Sequence, residues 1–280
     1  MRSGTQQATI AVAVLQRRAI CESAHGNYHT AQQLFGAALR GLGPRGPTRR
    51  HLLLWNELGM VCKYLGKFDA AQGFYLRALR HAGRCFQGLD LDSFLADIYH
   101  NLGGLNHSRR RFARGAQFAR KGIALRRKSA RGALPLASDL VALAANLDGL
   151  RRFRQSERLY RQALPVYRRY YGSVHPETSL ILHNLAAVYQ RTGCLRQAES
   201  LYRTALRIRR RKLGEHHPDT AFFLNNLGTL LLAQQDFHAA SSCFREALEI
   251  LQSSFGRRHY AAVVISRNLQ ALKLLAERKK

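Results

Sequence analysis

The chain has 280 residues, and 46% of them are hydrophobic, which suffices for a sizeable core. No run of 18 or more apolar residues occurs and no small-residue cleavage site follows the short apolar stretch near the start, so we expect no membrane insertion and a cytoplasmic protein. The formal net charge of +28 favours anionic partners, but it is equally typical of the arginine bias of a GC-rich genome.

An internal repeat of about 42 residues organises the sequence. The phrase HPETSLILHNLA at residues 175–186 returns as HPDTAFFLNNLG at residues 217–228. Aligning the chain with itself places small residues in columns of six. The columns are Ala19, Gly59, Gly103, Ala144, Ala186, Gly228; Ala31, Ala71, Gly115, Ser156, Ala198, Ala240; and Ala38, Ala78, Gly122, Ala163, Ala205, Ala247. Small residues at such places let helices approach each other closely.

Each repeat is predicted to be a pair of helices, because its apolar residues fall three and four positions apart, the spacing of one buried helical stripe. We term them the first helix and the second helix. The predicted pairs occupy residues 8–41, 50–84, 91–128, 135–170, 176–212 and 218–252, and a capping helix follows at residues 259–278. A capping helix covers the apolar flank of the last pair, so we expect a single repeat domain over residues 8–278.

The turn inside each pair carries the residue that ends the first helix. In three pairs this residue is glycine, at Gly26, Gly66 and Gly193, and glycine adopts the left-handed conformation at low cost. The matching positions of the other pairs hold Arg110, Arg151 and Gln235. We expect less favourable turns at those three places.

The phrases HPET and HPDT are predicted to begin first helices. Pro176 and Pro218 suit the first helical position, where the missing N–H costs nothing, and the acid that follows faces the positive end of the helix dipole. A metal site at His216, His217 and Asp219 is the alternative, but the copy of the phrase one repeat earlier favours capping. Five scattered cysteines without a Cys-x-x-Cys spacing indicate neither a zinc site nor a disulfide framework.

Signatures of catalysis are absent from the sequence. There is no Gly-rich phosphate loop between a strand and a helix, no His-Glu-x-x-His and no strand pattern from which a nucleophile elbow could rise. His100 and His107 share a predicted helix without a carboxylate or cysteine at ligand spacing, so they are interpreted as groove or surface histidines. We therefore expect no enzyme, no cofactor and no metal.

The small-residue columns on paired helices resemble the tetratricopeptide repeat over nearly the whole chain. The phrases LGEHHPDTAFFLNNLGTLL at 213–231 and AESLYRTALRIRR at 198–210 are similar to the repeats of kinesin light chains and related bacterial proteins. This resemblance implies an all-α, right-handed superhelical solenoid whose first helices line a concave groove. It also implies a scaffold that binds peptides or protein segments and performs no chemistry.

Two adjacent polar columns are predicted to face this groove from the first helices. They are Asn56, His100, Val141, His183, Asn225, Arg267 and Glu57, Asn101, Ala142, Asn184, Asn226, Asn268. An asparagine both donates to and accepts from a peptide backbone, so a ladder of amides suits an extended partner. The resemblance implies that the asparagines of the LNNL phrase bind peptide. The candidate groove residues are Asn56, His100, Asn101, His183, Asn184, Asn225, Asn226 and Arg267.

Two observations keep an alternative open for these columns. An asparagine in such a column can equally bond the neighbouring first helix and fix the packing between repeats. In addition, Val141 and Ala142 interrupt the ladder in the fourth repeat, which suggests an apolar pocket in the middle of the groove.

Basic residues gather in the turns and second helices, whereas the acids Asp92, Asp97, Asp139, Glu177 and Asp219 lie on first helices. The predicted basic edge consists of Arg109, Arg110, Arg111, Arg126, Arg127, Lys128, Arg209, Arg210 and Arg211. It supports an alternative function, weak and salt-sensitive binding of RNA, DNA or another polyanion. The aromatic residues of the second helices are predicted to be core rather than base-stacking platforms. They are Tyr75, Tyr160, Tyr202 and Phe244.

The sequence thus predicts a non-enzymatic scaffold that binds an unidentified protein or peptide segment in its groove. A third hypothesis is self-assembly through the ends of the solenoid, because Arg17 and Arg18 interrupt the apolar pattern of the first helix. The identity of the partner and the oligomeric state do not follow from the sequence.

Overall fold

The computed structural model describes residues 2–43, 46–129, 132–256 and 260–277, and these ranges contain thirteen α-helices and no strand. The all-α fold predicted from the apolar spacing is confirmed. Contacts between residues divide the chain into two compact units, Met1–Leu150 and Arg151–Lys280. The single domain over 8–278 stays a prediction, and residues 259 and 278, the predicted limits of the capping helix, lie outside the described residues.

The first compact unit holds seven helices. They are α1 (Arg2–Ala24), α2 (Tyr28–Gly41), α3 (Arg49–Tyr64), α4 (Phe68–Cys85), α5 (Gly88–Ser108), α6 (Phe112–Ser129) and α7 (Ala133–Gly149). Each helix packs on the next, and the first helices α3, α5 and α7 also contact one another in sequence. The first helices of neighbouring repeats are therefore neighbours in space as well.

The second compact unit holds six helices. They are α8 (Phe153–Tyr171), α9 (Pro176–Arg191), α10 (Leu195–Leu213), α11 (Pro218–Ala233), α12 (Phe237–Phe255) and α13 (Tyr260–Glu277). The same pattern holds, because consecutive helices pack together and the odd-numbered helices α9, α11 and α13 contact in order. Helix α13 occupies the place predicted for the capping helix.

The small-residue columns are the points where paired helices touch. A Cβ atom on Gly59 would lie 2.5 Å from the ring of Tyr75, and one on Gly228 would lie 2.8 Å from the ring of Phe244. Both rings are fully buried, as are Tyr160 and Tyr202 to within 2%, so the prediction that these aromatic residues form core is confirmed. Each glycine makes room for an aromatic side chain of the second helix in its own pair.

The third pair solves the same packing problem differently. Its second helix carries Ala119 where the other pairs carry an aromatic ring, and Ala119 is fully buried. Helices α5 and α6 come closer to compensate, since a Cβ atom on Gly103 would lie 3.4 Å from the carbonyl oxygen of Gly115. The close contact of Gly103 with Gly115 takes up the space that an aromatic ring fills in the other pairs.

The turns between paired helices share one hydrogen-bond pattern whether or not glycine is present. After α3, the Lys67 N–H donates to the Cys62 carbonyl at 2.8 Å, and after α5, the Arg111 N–H donates to the Asn106 carbonyl at 2.8 Å. The residue before each donor has positive φ, 71° at Gly66 and 56° at Arg110. The residues at the same position in the other turns without glycine also have left-handed φ. These are Arg151 at 59° and Gln235 at 67°.

Both His-Pro phrases begin helices as predicted. Pro176 opens α9 and Pro218 opens α11, each at the first helical position. The preceding histidine caps the helix, since His175 Nδ1 accepts from the Glu177 N–H and His217 Nδ1 accepts from the Asp219 N–H, both at 3.2 Å. These bonds confirm the capping interpretation of the phrase.

A left-handed arginine should destabilise the first compact unit, because a Cβ in this conformation crowds the following carbonyl. We expect Arg110→Gly to raise the free energy of unfolding by about 1 kcal/mol and Gly66→Ala, its counterpart one repeat earlier, to lower it by about the same amount. Gly66 has open space around its missing Cβ, so the cost there is conformational. Urea unfolding followed by circular dichroism measures both, and equal stability of Arg110→Gly and the parent chain would contradict the prediction.

Candidate functional site

The two polar columns of the first helices bond to each other across successive repeats. In the first compact unit, Asn101 Nδ2 donates to Asn56 Oδ1 at 2.8 Å. In the second unit, Asn226 Nδ2 donates to His183 Nε2 at 2.7 Å. These contacts follow one rule: the second-column residue of one first helix donates to the first-column residue of the preceding first helix.

The last step of this ladder involves the capping helix. Asn268 Nδ2 on α13 donates to Asn225 Oδ1 on α11 at 2.9 Å. Asn225 Nδ2 in turn donates to Asn226 Oδ1 at 3.3 Å. Arg267, the predicted first-column residue of α13, is exposed. The capping helix therefore continues the ladder through its second column.

The ladder uses only part of each carboxamide. Asn56 accepts one bond and Asn101 donates one, and neither the amino group of Asn56 nor the oxygen of Asn101 has a partner among the described residues. Since an asparagine side chain offers two donors and an acceptor, the remaining groups are available to a ligand. The internal bonds fix the carboxamide orientation in advance, so packing and binding are compatible roles.

Asn184 departs from the ladder. Its carboxamide has no hydrogen-bond partner within the part of the chain that the structure describes. In the sequence, the first-column residue one repeat earlier is Val141, which has no polar side-chain atom. Asn184 is only partly buried, so its donors and acceptor remain accessible to water or to a ligand.

Exposed apolar residues lie one turn before the amides in the second compact unit. Leu180 on α9 is 38% exposed and Phe222 on α11 is 46% exposed. Each stands three residues before a first-column member, so apolar and polar groups occupy one face of each first helix. Exposed large apolar side chains beside ordered amides are typical of surfaces that bind other proteins.

His183 is the buried member of this face. Its ring packs against Tyr202, 5.1 Å between centroids, and Phe223, 4.2 Å between centroids. Burial, helped by the charge of Arg209, lowers the pKa of His183 to about 4. The imidazole is therefore neutral near pH 7, in agreement with its acceptance of a hydrogen bond at Nε2 from Asn226.

A buried charge cluster occupies the corresponding face of the first compact unit. Asp139 on α7 is fully buried, and its two oxygens meet His100 Nδ1 at 2.8 Å and Arg126 Nε at 3.2 Å. Arg126 Nη2 also donates to Asp97 Oδ1. One arginine from second helix α6 thus joins two aspartates on first helices α5 and α7.

The charge cluster lines a cavity of about 290 Å³ that opens on the first helices. The cavity brings together three predicted groove residues, Asn56, His100 and Asn101, with Arg126, which was predicted for the basic edge, and with residues that were not predicted as site residues. The latter are Asp97, Leu134, Pro135, Ser138 and Asp139. The column to which Asp139 belongs could have shown its importance, because it is otherwise apolar. Its other members are Leu54, Ile98, Ile181, Phe223 and Ile265.

The basic edge is smaller than predicted, and two of its members were assigned wrongly. Arg126 and Arg209 have side chains only 9% exposed, so they are buried rather than on an edge. Arg209 donates to Ser179 Oγ at 2.9 Å and to Asp219 Oδ2 at 2.8 Å, which ties second helix α10 to two first helices. Both follow a small residue by four positions and therefore share its buried face.

The remaining members of the predicted edge differ in whether they pair with acidic side chains. Arg109 bonds Asp69 and Gln72, and Arg210 bonds Glu215 and Glu246. The fully exposed members are Arg110, Arg111, Arg127, Lys128 and Arg211. Exposed arginines of this kind occur on many solvated surfaces and by themselves indicate no ligand.

The described residues contain no cluster of three His, Cys, Asp or Glu side chains placed to hold a metal. All five cysteines are free thiols. No helix in the described ranges is long and apolar enough to cross a bilayer.

Comparison with known proteins identifies the repeat. Sequence profiles described as tetratricopeptide repeat match residues 135–193, 177–253 and 53–80, which together span just over half of the chain. No curated protein matches the full sequence significantly.

Solved structures share the fold at low sequence identity. BtubC (BKLC) from P. vanneervenii is 23% identical with a TM-score of 0.60, and the match covers 90% of this chain and 91% of that protein. A putative kinesin light chain of nearly identical TPR-like repeats from P. anserina is 16% identical with a TM-score of 0.57, covering 73% and 96%. A Rap protein complexed with Competence and Sporulation Factor is 11% identical with a TM-score of 0.66, covering 96% and 77%.

Replacing one member of the buried charge cluster should lower the free energy of unfolding far more than replacing both members of the Arg126–Asp139 pair. Arg126→Leu removes the arginine that bonds buried Asp139, and Asp139→Ile removes one of the two carboxylates that bond Arg126, so we expect each to lower the free energy of unfolding by about 3–5 kcal/mol. The double variant restores an apolar contact and should recover most of that loss. Arg203→Ala, which removes an exposed ion pair with Glu199, serves as control and should cost less than about 1 kcal/mol. Additive losses in the double variant would contradict the coupling.

His183 should make the stability of the chain depend on pH. Its pKa is about 4 when folded and about 6.5 when unfolded, so the unfolded chain binds a proton in this interval that the folded chain does not. Stability is therefore retained above pH 6.5 and falls by about 3 kcal/mol as the pH drops to 4. Unfolding of His183→Gln across this range should lack that part of the slope, whereas His216→Gln at an exposed histidine should keep it.

Proposed function

Because the chain belongs to the tetratricopeptide repeat family, we propose that it is an interaction scaffold whose first helices bind an extended or helical segment of a partner protein. Scaffolds of this fold present the faces of their helices to a partner. Specificity then depends on the side chains that the faces carry, and the fold alone does not identify the partner.

The observation that carries this proposal is the ladder of partly satisfied amides beside exposed apolar side chains. Asn225 and Asn226 are held by bonds to Asn268 and His183, so their remaining polar groups have fixed directions. Binding of a partner backbone costs less entropy when the side-chain donors and acceptors are already fixed than when they must become ordered on binding. Phe222 lies beside them and supplies the apolar area that the amides lack.

The comparisons support a binding role without naming a partner. The Rap protein, which shares the fold, was solved with Competence and Sporulation Factor bound to it. Five free cysteines fit a reducing compartment, and we propose that the chain is cytoplasmic. Tetratricopeptide repeat proteins typically act as scaffolds without enzyme activity, and we propose the same for this chain.

The alternative, binding of RNA, DNA or another polyanion by the basic edge, has less support. Two of its nine predicted residues, Arg126 and Arg209, are buried in ion pairs, and Arg109 and Arg210 are paired with acids. The recurring aromatic residues of the second helices, Tyr75, Tyr160, Tyr202 and Phe244, are buried and cannot stack on bases. What remains is a set of exposed arginines whose hold on phosphates would weaken steeply with salt.

A partner bound through the first helices should depend on Asn184 and Phe222. Asn184 has no intramolecular bond to lose, so Asn184→Ala removes ligand contacts at little cost to the fold, and Phe222→Ala removes an exposed apolar anchor. We expect the double variant to bind a captured partner more than 10-fold more weakly, since one hydrogen bond and one aromatic contact together contribute about 2–3 kcal/mol. The measurement is pull-down from lysate of the source cell with tagged full chain, followed by titration of the captured protein.

The control removes a carboxamide from a second helix of the same compact unit. Gln197 on α10 is exposed, and Gln197→Ala should leave partner affinity unchanged. Nuclease treatment separates the two candidate functions. A partner lost after nuclease or moderate salt, yet retained by the Asn184→Ala, Phe222→Ala variant, would show that the basic edge is the binding surface and that the ladder only packs.

A further inference from the structure

Asp139 stands where most other first helices place a buried apolar side chain. From α3 onward the other members of its column are Leu54, Ile98, Ile181, Phe223 and Ile265, each 5% exposed or less, whereas Val14 on α1 is exposed. The second-helix column of Arg126 is mixed, because it holds Ala82 and Tyr167 but also a second buried arginine, Arg209. An apolar pair of similar volume would be at least as stable as this buried ion pair. A repeat that breaks its own pattern at a stability cost indicates a function for the broken positions.

The first helices around the cluster have an unusual charge for this chain. Helices α5 and α7 contain no lysine or arginine, although the chain as a whole carries 45 of them. The two helices hold five aspartates instead. They are Asp90, Asp92, Asp97, Asp139 and Asp148. This excess of acidic side chains on two helices of a strongly basic protein requires a local explanation.

Several acceptors that line the cavity are left unused by the described residues, although Arg126 and the amino group of Asn56 line it as well. Both oxygens of Asp139 are occupied by His100 and Arg126, but Asp97 is 50% exposed and shares only one oxygen with Arg126. His100 Nδ1 bonds Asp139, and Nε2 of the same ring has no partner among the described residues. The oxygen of Asn101 is likewise without a partner among the described residues.

A second carboxylate beside the cavity lacks a counter-charge. Glu57 follows Asn56 on α3, is partly buried, and makes no hydrogen bond or ion pair within the residues that the structure describes. Its burial raises its pKa, and the like charge of Asp97 raises it further. Two neighbouring carboxylates that repel each other form a site that a cation would stabilise.

We propose that the cavity lined by Asn56, Asp97, His100 and Asn101 receives a basic side chain, an arginine, from the partner segment. This inference rests on the proposed function, because it assigns one residue of the segment that the first helices bind. The volume of about 290 Å³ lies at the lower end of the range for small-ligand pockets, so it fits one side chain rather than a larger ligand.

Arginine suits this site better than a compact cation. A guanidinium carries five N–H donors in a plane, and the cavity presents a carboxylate, an imidazole nitrogen and amide oxygens from helices α3 and α5. Arg126 and Asp139 act as positioning residues in this arrangement. Arg126 holds Asp97 in place and Asp139 orients the imidazole, so neither needs to touch the bound group.

The test uses N-acetyl-arginine N-methylamide as the probe and its neutral isostere N-acetyl-citrulline N-methylamide as the comparison. Titration into ¹⁵N-labelled full chain is followed through the side-chain amide signals of Asn56 and Asn101. We expect both signals to shift with the arginine probe and the citrulline probe to bind at least 10-fold more weakly. Equal shifts with the two probes would overturn the proposal, because charge would then play no part.

Two variants locate the charge that the probe meets. Asp97→Asn keeps an oxygen for Arg126 while removing the charge, and Glu57→Gln changes a side chain that has no partner to lose. Each should weaken binding of the arginine probe about 5- to 10-fold. Glu249→Gln on α12 changes the net charge equally and should have no effect. Circular dichroism confirms that each variant is folded, and unchanged binding in both Asp97→Asn and Glu57→Gln would overturn the site.

The outcomes separate this inference from the proposed function. A partner that depends on Asn184 and Phe222 but is indifferent to Asp97→Asn and Glu57→Gln would overturn the arginine site and leave the scaffold intact. Arginine-specific shifts that both variants abolish would support the site even if the captured partner ignores Asn184→Ala.

Discussion

The close approach of paired helices at the small-residue columns determines the rest of this structure. Gly59 and Gly228 have ring atoms of the second helix where a Cβ would stand, and the alanines of the other columns are fully buried. Where paired helices meet in this way inside a compact unit, the contact fixes the rotation of the first helix about its axis. The polar columns therefore line up from one first helix to the next, and Asn101, Asn226 and Asn268 each reach back to the preceding helix.

Much of the fold and part of the site follow from the sequence because they depend on periodicity. The columns predict the helix pairs, and the turn position predicts less favourable turns at Arg110 and Gln235, which adopt left-handed backbone. The repeat places Asn56 and Asn101 in adjacent columns and leaves open whether they bond each other or a ligand, and the structure shows the bond. A column shows which residues share a face, whereas distances between helices decide whether two side chains on that face bind each other or a ligand.

The burial of Arg126 and Arg209 shows where composition is a poor guide. Runs such as RRK at 126–128 and RRR at 209–211 are solvated surface on average, but a helix turns by about 100° per residue, so consecutive basic residues face different ways. The residue four positions after a buried small residue faces the core, and its charge must find a partner there. Asp139 and Asp219 provide those partners, so a register argument would have assigned both arginines correctly.

A repeat fold can place such chemistry in one pair of helices without disturbing the others. Each repeat contacts mainly its neighbours, so the cost of burying Asp139 with Arg126 is confined to α5, α6 and α7. The second compact unit keeps the apolar column, with Ile181 and Phe223 at the equivalent places, and uses Leu180 and Phe222 as exposed apolar groups instead. One architecture thus presents an acidic, hydrogen-bonding face in one unit and a neutral, partly apolar face in the other. A basic residue of a partner segment would complement the first of these faces, and an apolar residue would complement the second.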